Sequence, residues 1–449
     1  MFNIKLTSIP LNGLFIVLLL INFSLCFIED GYKRYNNYSV LRFKPTTTDQ
    51  LHFLYQLAQN ETFLMERSVD FWTEPGSLNS SVDIMLSPEA RSTLSPVFAS
   101  NQLTPSVMIE DVQSRIDAEN LIKGRQSLPF PFGVRGSRPN AKQFFSTYQR
   151  YDTMMSMLDE IARSNSKVAT IETIGKSFEG RDLKVIKISS GSSSGKKKIW
   201  IDAGLHAREW IGPSTAMYFI NKLVTSVGKD ENVDSILSKY DIVVLPLANP
   251  DGYEYTHTTN RMWRKTRSLT NSRWGYICRG ADPNRNWSYK WRTGGSSTNP
   301  CSDVYAGSAP FSEPEPKAMS QYILKNGPWH MYISFHSYSQ LILLPWGWTT
   351  DLPKDYKEMY RVAEKAATSL KSIYDTPYTV GSATNLLYVA SGGSDDWAYG
   401  EAGVPYSYTF ELRDTGDHGF VLPDDLITPT AEETFVAFKT MCDEIYPNK

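Results

Sequence analysis

Two mostly apolar runs, Lys198–Ala203 and Asp241–Leu247, constrain the fold of this chain more than any other feature of its sequence. Neither run shows the regular apolar and polar alternation of a half-exposed strand, so both predict strands that are buried on both faces. Strands of this kind belong to sheets that carry helices on each side. Ligands in such folds bind beyond the carboxyl ends of the strands, which is where chemistry is expected.

Helical periodicity accompanies these strands from about residue 145 onward. The apolar positions of the first helix face are Tyr151, Met154, Met155, Leu158 and Ile161. Further helices are predicted at about 213–225, 313–325, 354–374 and 431–445. Thr430 and Glu433 have the spacing of a capping box and are predicted to open the last helix. The larger part of the chain is therefore predicted to be an α/β sandwich.

A smaller unit precedes it, in which short strand-like and helical segments alternate between residues 36 and 123. The segments are Ser39–Phe43, Asp49–Ala58, Ser81–Met85, Pro88–Ser100 and Ser106–Glu110. Two helices against a small antiparallel sheet is the economical packing for that order. The glycosylation sequons at Asn37, Asn60 and Asn79 all fall in this unit, which is consistent with an exposed, exported module.

A Pro-, Gly- and Arg-rich stretch from Lys123 to Arg138 follows and shows no periodicity. It is predicted to be a linker whose arginines offer cleavage sites to a trypsin-like protease. The predicted division is residues 28–138 for the small unit with its linker and 139–449 for the large unit.

The N-terminal residues indicate the compartment. Lys5 is followed by a mostly apolar run, Leu11–Phe27, after which Glu29 and Asp30 restore polarity. Residues 1–27 are predicted to be a secretory signal peptide, and the alternative is an uncleaved N-terminal anchor. No later apolar stretch of the sequence approaches the roughly 20 residues that span a bilayer. We expect a secreted, extracellular protein without a membrane partner.

The net charge argues against a nucleic-acid partner, and the cysteine content indicates which disulfide can form. A formal net charge of -2 gives no whole-molecule field that would gather nucleic acid. Cys26 leaves with the signal peptide, and in an oxidising compartment Cys278 and Cys301, close in sequence, are the favoured pair. Cys442 is then a buried free thiol in the last helix.

Three residues at the ends of predicted strands have the chemistry of a metal site. His206 and Glu209 follow the strand that ends at Ala203, and His336 ends the apolar strand Met331–Phe335. Two imidazoles and one carboxylate leave a tetrahedral Zn²⁺ with one open position, which is the arrangement of catalytic zinc. The alternative is three satisfied polar side chains in an α/β core.

A further acidic residue lies in an apolar strand, Pro405–Arg413. Period-two alternation puts its aromatic residues on one face and Glu411 with Arg413 on the other. Beside a water activated by zinc, Glu411 is suited to be the general base, a role for a carboxylate that is not itself a metal ligand. The alternative is a buried ion pair of Glu411 with an arginine such as Arg413.

Six short sequence motifs follow one another along the chain between residues 145 and 447. They are Gly204-Leu-His-Ala-Arg-Glu-Trp210, Asn249-Pro-Asp-Gly252, Asn260-Arg-Met-Trp-Arg-Lys-Thr-Arg267, Asp282-Pro-Asn-Arg-Asn-Trp287, Ser334-Phe-His-Ser-Tyr-Ser339 and Thr409-Phe-Glu-Leu-Arg413. In these motifs the chain resembles the zinc carboxypeptidases of the pancreatic A/B type, and residues 36–138 resemble that family's activation segment. The resemblance implies a central mixed sheet flanked by helices, preceded by a small α+β antiparallel pro-domain.

The resemblance also implies a role for each matching residue. His206, Glu209 and His336 match the ligands of one Zn²⁺ per chain, and Asp282 matches a carboxylate behind the first histidine. Glu411 matches the general base. Arg264 matches the side chain that stabilises the oxyanion; from charge alone, it would belong to a solvated basic turn.

Substrate contacts are implied in the same way. Asn284, Arg285 and Tyr388 match the group that binds the terminal carboxylate, while Arg208 and Tyr338 match positions along the cleft. Cys278 and Cys301 match a family disulfide.

Asp395 indicates the specificity, because it matches the base of the side-chain pocket, where B-type enzymes have Asp and A-type enzymes an apolar residue. A carboxylate there favours a cationic side chain. Gly347 and Ala383 match the pocket wall, and Ala383 departs from the glycine of the B type. The alternative for Asp395 and Asp396 is a solvated acidic pair.

The sequence therefore predicts a secreted zymogen of a zinc exopeptidase that releases C-terminal Lys or Arg from peptides and proteins after activation by a trypsin-like protease. We expect a monomer. Two alternatives stand: an A-type enzyme that releases apolar residues, and a catalytically silent binding protein on the same scaffold. The intact set of zinc, base and arginine positions argues against the second.

Overall fold

The computed structural model describes residues 28–29, 31–126, 141–191, 193, 195–270 and 277–445. The predicted signal peptide, 1–27, lies outside the described residues, and so does the predicted linker from residue 127 to 138. The two predicted units are both described.

The small unit contains a four-stranded antiparallel sheet, which follows a two-residue pair of strands. The strands are β1 (Ile28–Glu29), β2 (Tyr32–Lys33), β3 (Ser39–Phe43), β4 (Val69–Phe71), β5 (Val82–Leu86) and β6 (Ser106–Ile109). The sheet order is β4-β5-β3-β6. The helices are Thr48–Gln59, Glu61–Arg67, Pro88–Ser100 and Val112–Gln126. The antiparallel sheet and two of these helices were predicted, and all three sequon asparagines are exposed.

The helix Val112–Gln126 corrects the predicted linker boundary, because it continues past Lys123. Its buried residues Val112 and Ile116 pack in one cluster with Met262 and Phe420 of the large unit. The helix is thus stabilised by apolar contacts with another part of the chain, which a local periodicity does not reveal.

The large unit is built around an eight-stranded mixed sheet. Its strands are β7 (Ala169–Lys176), β8 (Asp182–Ile188), β9 (Lys197–Ala203), β10 (Tyr240–Leu245), β11 (Met331–Ser337), β12 (Leu341–Leu344), β13 (Thr379–Ser382) and β14 (Tyr406–Leu412). The order is β13-β12-β14-β11-β9-β10-β8-β7, and the four strands β14, β11, β9 and β10 run parallel. Their carboxyl ends therefore lie along one edge of the sheet.

Helices cover both faces of this sheet, as predicted. They are Ala141–Phe144, Tyr151–Ser164, Ile211–Thr225, Glu231–Lys239, Pro250–Thr258, Pro314–Asn326, Tyr356–Tyr374, Ala383–Leu386, Ser394–Gly400 and Ile427–Ile445, with a 3₁₀ turn at Asp424–Leu426. Successive residues of β9 enter two cores. Ile199 and Ile201 belong to the larger one, whereas Trp200 packs with Met319 and Ile323 on the other face.

The start of the last helix differs from the prediction. The helix begins at Ile427, so Thr430 lies inside it and its Oγ1 donates a hydrogen bond to the Leu426 carbonyl at 2.7 Å. Glu433 accepts a hydrogen bond from Arg413 Nε at 2.7 Å. The capping box is therefore wrong, and so is the ion pair of Arg413 with Glu411. The preceding 3₁₀ turn extends the helix toward its N-terminus.

Glu433→Gln tests this assignment, because the Glu433 side chain is fully buried and Arg413 is mostly buried. Breaking a buried ion pair should lower the free energy of unfolding by about 3 kcal/mol or more, whereas loss of a helix cap costs about 1 kcal/mol. The measurement is urea unfolding of the purified protein. Glu432→Gln, on the same helix and partly exposed, is the matched control and should cost less than about 1 kcal/mol. Equal costs for the two variants would contradict the assignment.

Candidate active site

Three side chains that could bind a metal ion lie close together at the carboxyl ends of the parallel strands. Beyond β9, Gly204 has φ +71°, and a Cβ there would lie 2.7 Å from the Leu247 side chain. This turn brings His206 and Glu209 toward His336 of β11. Ligand atoms of His206, Glu209 and His336 all lie within 4.8 Å of one another, and all three residues are buried.

The distances between these atoms fit one cation. His206 Nδ1 lies 3.1 Å from His336 Nδ1, and the Glu209 carboxylate lies 2.8 Å from the first nitrogen and 3.0 Å from the second. His206 Nε2 faces the acceptor Asp282 at 3.1 Å, and a proton donated there leaves Nδ1 with a lone pair that a metal can use. Two nitrogens and a carboxylate directed at one point are the donor set of catalytic Zn²⁺.

Asp282 is the fully buried carboxylate that connects this cluster with Arg264. Its Oδ1 faces His206 and accepts from the Asn284 backbone N–H at 2.8 Å, while its Oδ2 accepts from Arg264 Nε and Nη2 at 3.0 and 2.8 Å. Burial alone would raise the pKa of Asp282, but the charge of Arg264 and the hydrogen bond with His206 hold it well below the usual range. Arg264 is buried, so the alternative of a solvated basic turn is wrong.

Glu411 stands beside His336, to which it is paired in the register of β11 and β14. Period-two alternation holds along β14, since Tyr408 and Phe410 enter the large core. Burial raises the pKa of Glu411 to about 8, although the charge of His336 acts in the opposite direction. A divalent cation beside this carboxyl group would lower that pKa and favour the ionised form.

A cavity of about 80 Å³ collects most of the residues that the sequence singled out. Those that line it are His206, Glu209, Arg264, Asn284, Arg285, Tyr338, Gly347, Ala383, Tyr388, Asp395 and Glu411. Other residues of its lining come from the small unit, namely Trp72 and Thr73. Nothing in the sequence pattern marked these two, because they lie in an irregular segment after β4.

One corner of the cavity is rich in donors suited to a carboxylate. Arg285 is buried, and its Nε and Nη1 donate to the backbone carbonyls of Gly295 and Asn284 at 3.0 and 2.9 Å. Asn284 Oδ1 accepts from the Ser394 backbone N–H at 2.9 Å. This bond fixes the orientation of the amide and leaves Nδ2 as the group that faces a ligand.

Asp395 lies in the first turn of the helix Ser394–Gly400, and it is only 7% exposed. Asp396 is fully buried, so the alternative of a solvated acidic pair is wrong. Burial raises the pKa of Asp395, while backbone N–H groups at the start of the helix lower it. Gly347 and Ala383 line the same cavity, as predicted for the pocket wall.

Arg208 and Tyr338 face the small unit. Arg208 Nη1 donates to Asp70 Oδ2 at 2.8 Å, and the Tyr338 hydroxyl donates to Asp83 Oδ2 at 2.7 Å. The structure therefore places both residues at the contact between the two units. The predicted disulfide Cys278–Cys301 is present, and Cys442 is a buried free thiol.

Comparison with known proteins identifies the class. Residues 154–437 match the family model of zinc carboxypeptidases, and residues 41–119 match that of the carboxypeptidase activation peptide. The chain belongs to the zinc carboxypeptidase family and carries an activation peptide, which confirms the predicted fold and enzyme class.

Three similar proteins illustrate the range of the family. Carboxypeptidase B of Astacus astacus is 48% identical over 300 residues, 67% of this chain and 97% of that protein. Carboxypeptidase A2 of Mus musculus is 40% identical over 407 residues, 90% of this chain and 93% of that protein. A solved structure of thrombin activatable fibrinolysis inhibitor has a TM-score of 0.78 and 32% identity, and the match covers 91% of this chain and 98% of that one.

The part of the chain that the structure describes contains no helix with the length and apolar character required to cross a membrane.

Proposed function

We propose that this carboxypeptidase is secreted as a latent zymogen and, once cut, releases Lys and Arg from the C-termini of peptides and proteins. One Zn²⁺ per chain is held by His206, Glu209 and His336. The observation that carries the specificity is the buried carboxylate of Asp395 in the cavity that also contains Arg285 and Glu411.

The proposed preference follows from the environment of Asp395. A cationic side chain that enters the cavity pairs with this carboxylate, whereas an apolar one leaves the carboxylate buried and unpaired. Gly347 and Ala383 leave room for a long side chain. Release of apolar residues is the second candidate, and the similarity to carboxypeptidase A2 favours it.

Binding of the substrate's terminal carboxylate makes the enzyme an exopeptidase. Arg285 offers a planar guanidinium suited to two parallel hydrogen bonds, and Asn284 Nδ2 and the Tyr388 hydroxyl line the same corner. Because these groups select a free carboxylate, only the last peptide bond lies beside the base. Arg208 and Tyr338 then line the cleft toward the preceding residues.

Cleavage requires a water, a base and a group that stabilises the oxyanion. A Zn²⁺ held by His206, Glu209 and His336 would supply Lewis-acid chemistry, since it would polarise the scissile carbonyl and lower the pKa of a bound water toward neutrality. Glu411 takes a proton from the attacking water and transfers it to the departing amine nitrogen, which balances the hydrolysis. Arg264, oriented by Asp282, donates to the oxygen on which negative charge develops.

Latency is supported by the contacts of the small unit, which we propose is the inhibitory pro-segment. Asp70 and Asp83 engage Arg208 and Tyr338, and Trp72 and Thr73 line the cavity. Burial raises the pKa of Glu74 to about 7, while Arg285 and Arg264 act in the opposite direction. A carboxylate of the pro-segment thus lies within the field of the arginines that would receive a substrate.

A fully buried ion pair supports the same arrangement. Arg261 Nε and Nη2 donate to the two Glu119 oxygens at 2.9 and 3.1 Å. Removal of one partner leaves the other charged and unpaired in a buried position, which costs about 3 to 5 kcal/mol. This pair should therefore contribute strongly to holding the pro-segment on the catalytic unit.

Asp395→Ala tests the specificity on matched peptides that end in Arg, Lys, Leu or Phe, with the trypsin-cut protein. Loss of the carboxylate leaves an unpaired cation, which costs about 3 kcal/mol, so kcat/KM for Arg-ending peptides should fall at least about a hundredfold. Values for Leu- and Phe-ending peptides should rise or stay level.

Asp303→Ala removes a carboxylate outside the 80 Å³ cavity and is the matched control, with an unchanged Arg/Phe ratio. A wild-type preference for Phe over Arg, or an unchanged ratio in Asp395→Ala, would restore the A-type candidate.

Latency is tested by comparing the intact chain with the chain cut between the end of the helix Val112–Gln126 and Arg138. The intact chain should hydrolyse an Arg-ending peptide far more slowly. Glu119→Gln should raise the rate of the intact chain by at least about tenfold, because a weaker ion pair raises the population in which the cleft is open. Asp117→Asn, on the same helix but in a partly exposed pair with Arg34, should change little. An active enzyme whose N-terminus lies near residue 28 would refute the arrangement.

A further inference from the structure

Asp396 has a set of contacts that the proposed specificity does not use. Its Oδ1 accepts from the Gly347 backbone N–H at 2.9 Å, and its Oδ2 accepts from the N–H groups of Gly347 and Trp348 at 3.0 and 3.1 Å. The side chain is fully buried and does not line the cavity. It therefore contacts the back of the pocket wall and not the substrate.

The wall segment is held from its other side as well. The Gly347 carbonyl accepts from the Ala390 backbone N–H at 2.7 Å and from Thr384 Oγ1 at 2.5 Å. A Cβ at Gly347 would lie 2.9 Å from the Ala390 oxygen. Both the N–H and the carbonyl of Gly347 are thus hydrogen-bonded. The nearby Ala390 oxygen leaves no room for a side chain at this position.

The helix that carries Asp396 is itself fixed to the rest of the site. The Ser394 N–H donates to Asn284 Oδ1 at 2.9 Å, and Ser407 Oγ of β14 donates to the Asp395 carbonyl at 2.9 Å. Asp395 and Asp396 are adjacent, so the base and the wall of the pocket are attached to one short helix. The distance between them is set by this helix and by the Asp396 bonds.

We propose that Asp396 is a positioning residue for substrate specificity, which holds the Gly347–Trp348 wall at a fixed distance from Asp395. This inference rests on the proposed function, because it concerns the pocket that Asp395 defines. Two backbone N–H groups require acceptors, and the carboxylate satisfies both, because Oδ2 accepts from Gly347 and Trp348 while Oδ1 gives Gly347 a second acceptor. An amide whose oxygen keeps the Oδ2 bonds would place its NH₂ where Oδ1 now lies, 2.9 Å from the Gly347 nitrogen, so that two donors would oppose each other and the wall would shift.

Asp396→Asn tests the proposal in the full chain after trypsin cleavage. We measure kcat and KM for peptides that differ only in the last residue, either the residue that the wild type prefers or Ala. The Ala side chain does not reach the wall, whereas a long side chain packs against it. The ratio of kcat/KM, preferred residue over Ala, should fall at least about tenfold, chiefly through KM. The Ala-ending peptide should change less than about threefold.

Asp251→Asn is the matched control, because Asp251 is buried and accepts from Ser177 Oγ and the Glu179 N–H far along the sequence from the pocket. It should leave the ratio unchanged. An equal fall for both peptides in Asp396→Asn, or an unchanged ratio, would overturn the proposal.

If Asp396→Asn does not fold, the same ratio of kcat/KM, preferred residue over Ala, is measured for Thr384→Val. This variant removes the hydroxyl that donates to the Gly347 carbonyl. A fall in its ratio supports a wall position that sets specificity, and an unchanged ratio contradicts it. Use of the residue that the wild type prefers keeps this test separate from the Lys/Arg assignment. That assignment fails if the wild type prefers Phe, whichever result Asp396→Asn gives.

Discussion

The buried carboxylate of Asp282 is the contact on which the site depends, because it binds His206 with one oxygen and Arg264 with the other. The first bond fixes the tautomer that presents Nδ1 to a metal, and the second orients a cation toward the neighbouring cavity. A carboxylate is tolerated at this depth because its charge is neutralised by these donors. The candidate metal ligand and the arginine proposed to stabilise the oxyanion are therefore positioned by the same side chain.

The parallel sheet explains why residues distant in sequence meet here. His206 follows β9, His336 lies in β11 and Glu411 in β14, and these three strands are neighbours with their carboxyl ends at one edge. The metal ligands and the proposed base need no long loops to converge. The small unit contacts this same edge through Arg208 and Tyr338, so the proposed catalytic site and its proposed inhibition share one location.

Elements that depend on local sequence pattern were predicted correctly. The predictions were wrong where contacts with residues distant in sequence determine the structure. His206, Glu209 and His336 were candidates because strand ends and ligand chemistry coincide in the sequence, and the resemblance to zinc carboxypeptidases favoured the metal site over three polar core residues. Val112–Gln126 was missed because its stabilising partners, Met262 and Phe420, are far along the chain. Thr430 and Glu433 matched a capping box by spacing alone. In the structure the Glu433 carboxylate pairs with Arg413, which is distant in sequence. The role of Asp396 depends on backbone N–H groups, which leave no mark in a sequence.

In the proposed mechanism three residues bind zinc, while Glu411 acts as the base without binding it. Zinc content and turnover of Glu411→Gln, measured on the same trypsin-cut sample, test it most directly. We expect one zinc per chain to be retained and the rate to fall about a thousandfold, which is the usual effect of losing a general base. His336→Ala, the control, should lose both zinc and activity. Loss of zinc from Glu411→Gln, or an unchanged rate, would show that Glu411 does not have this role.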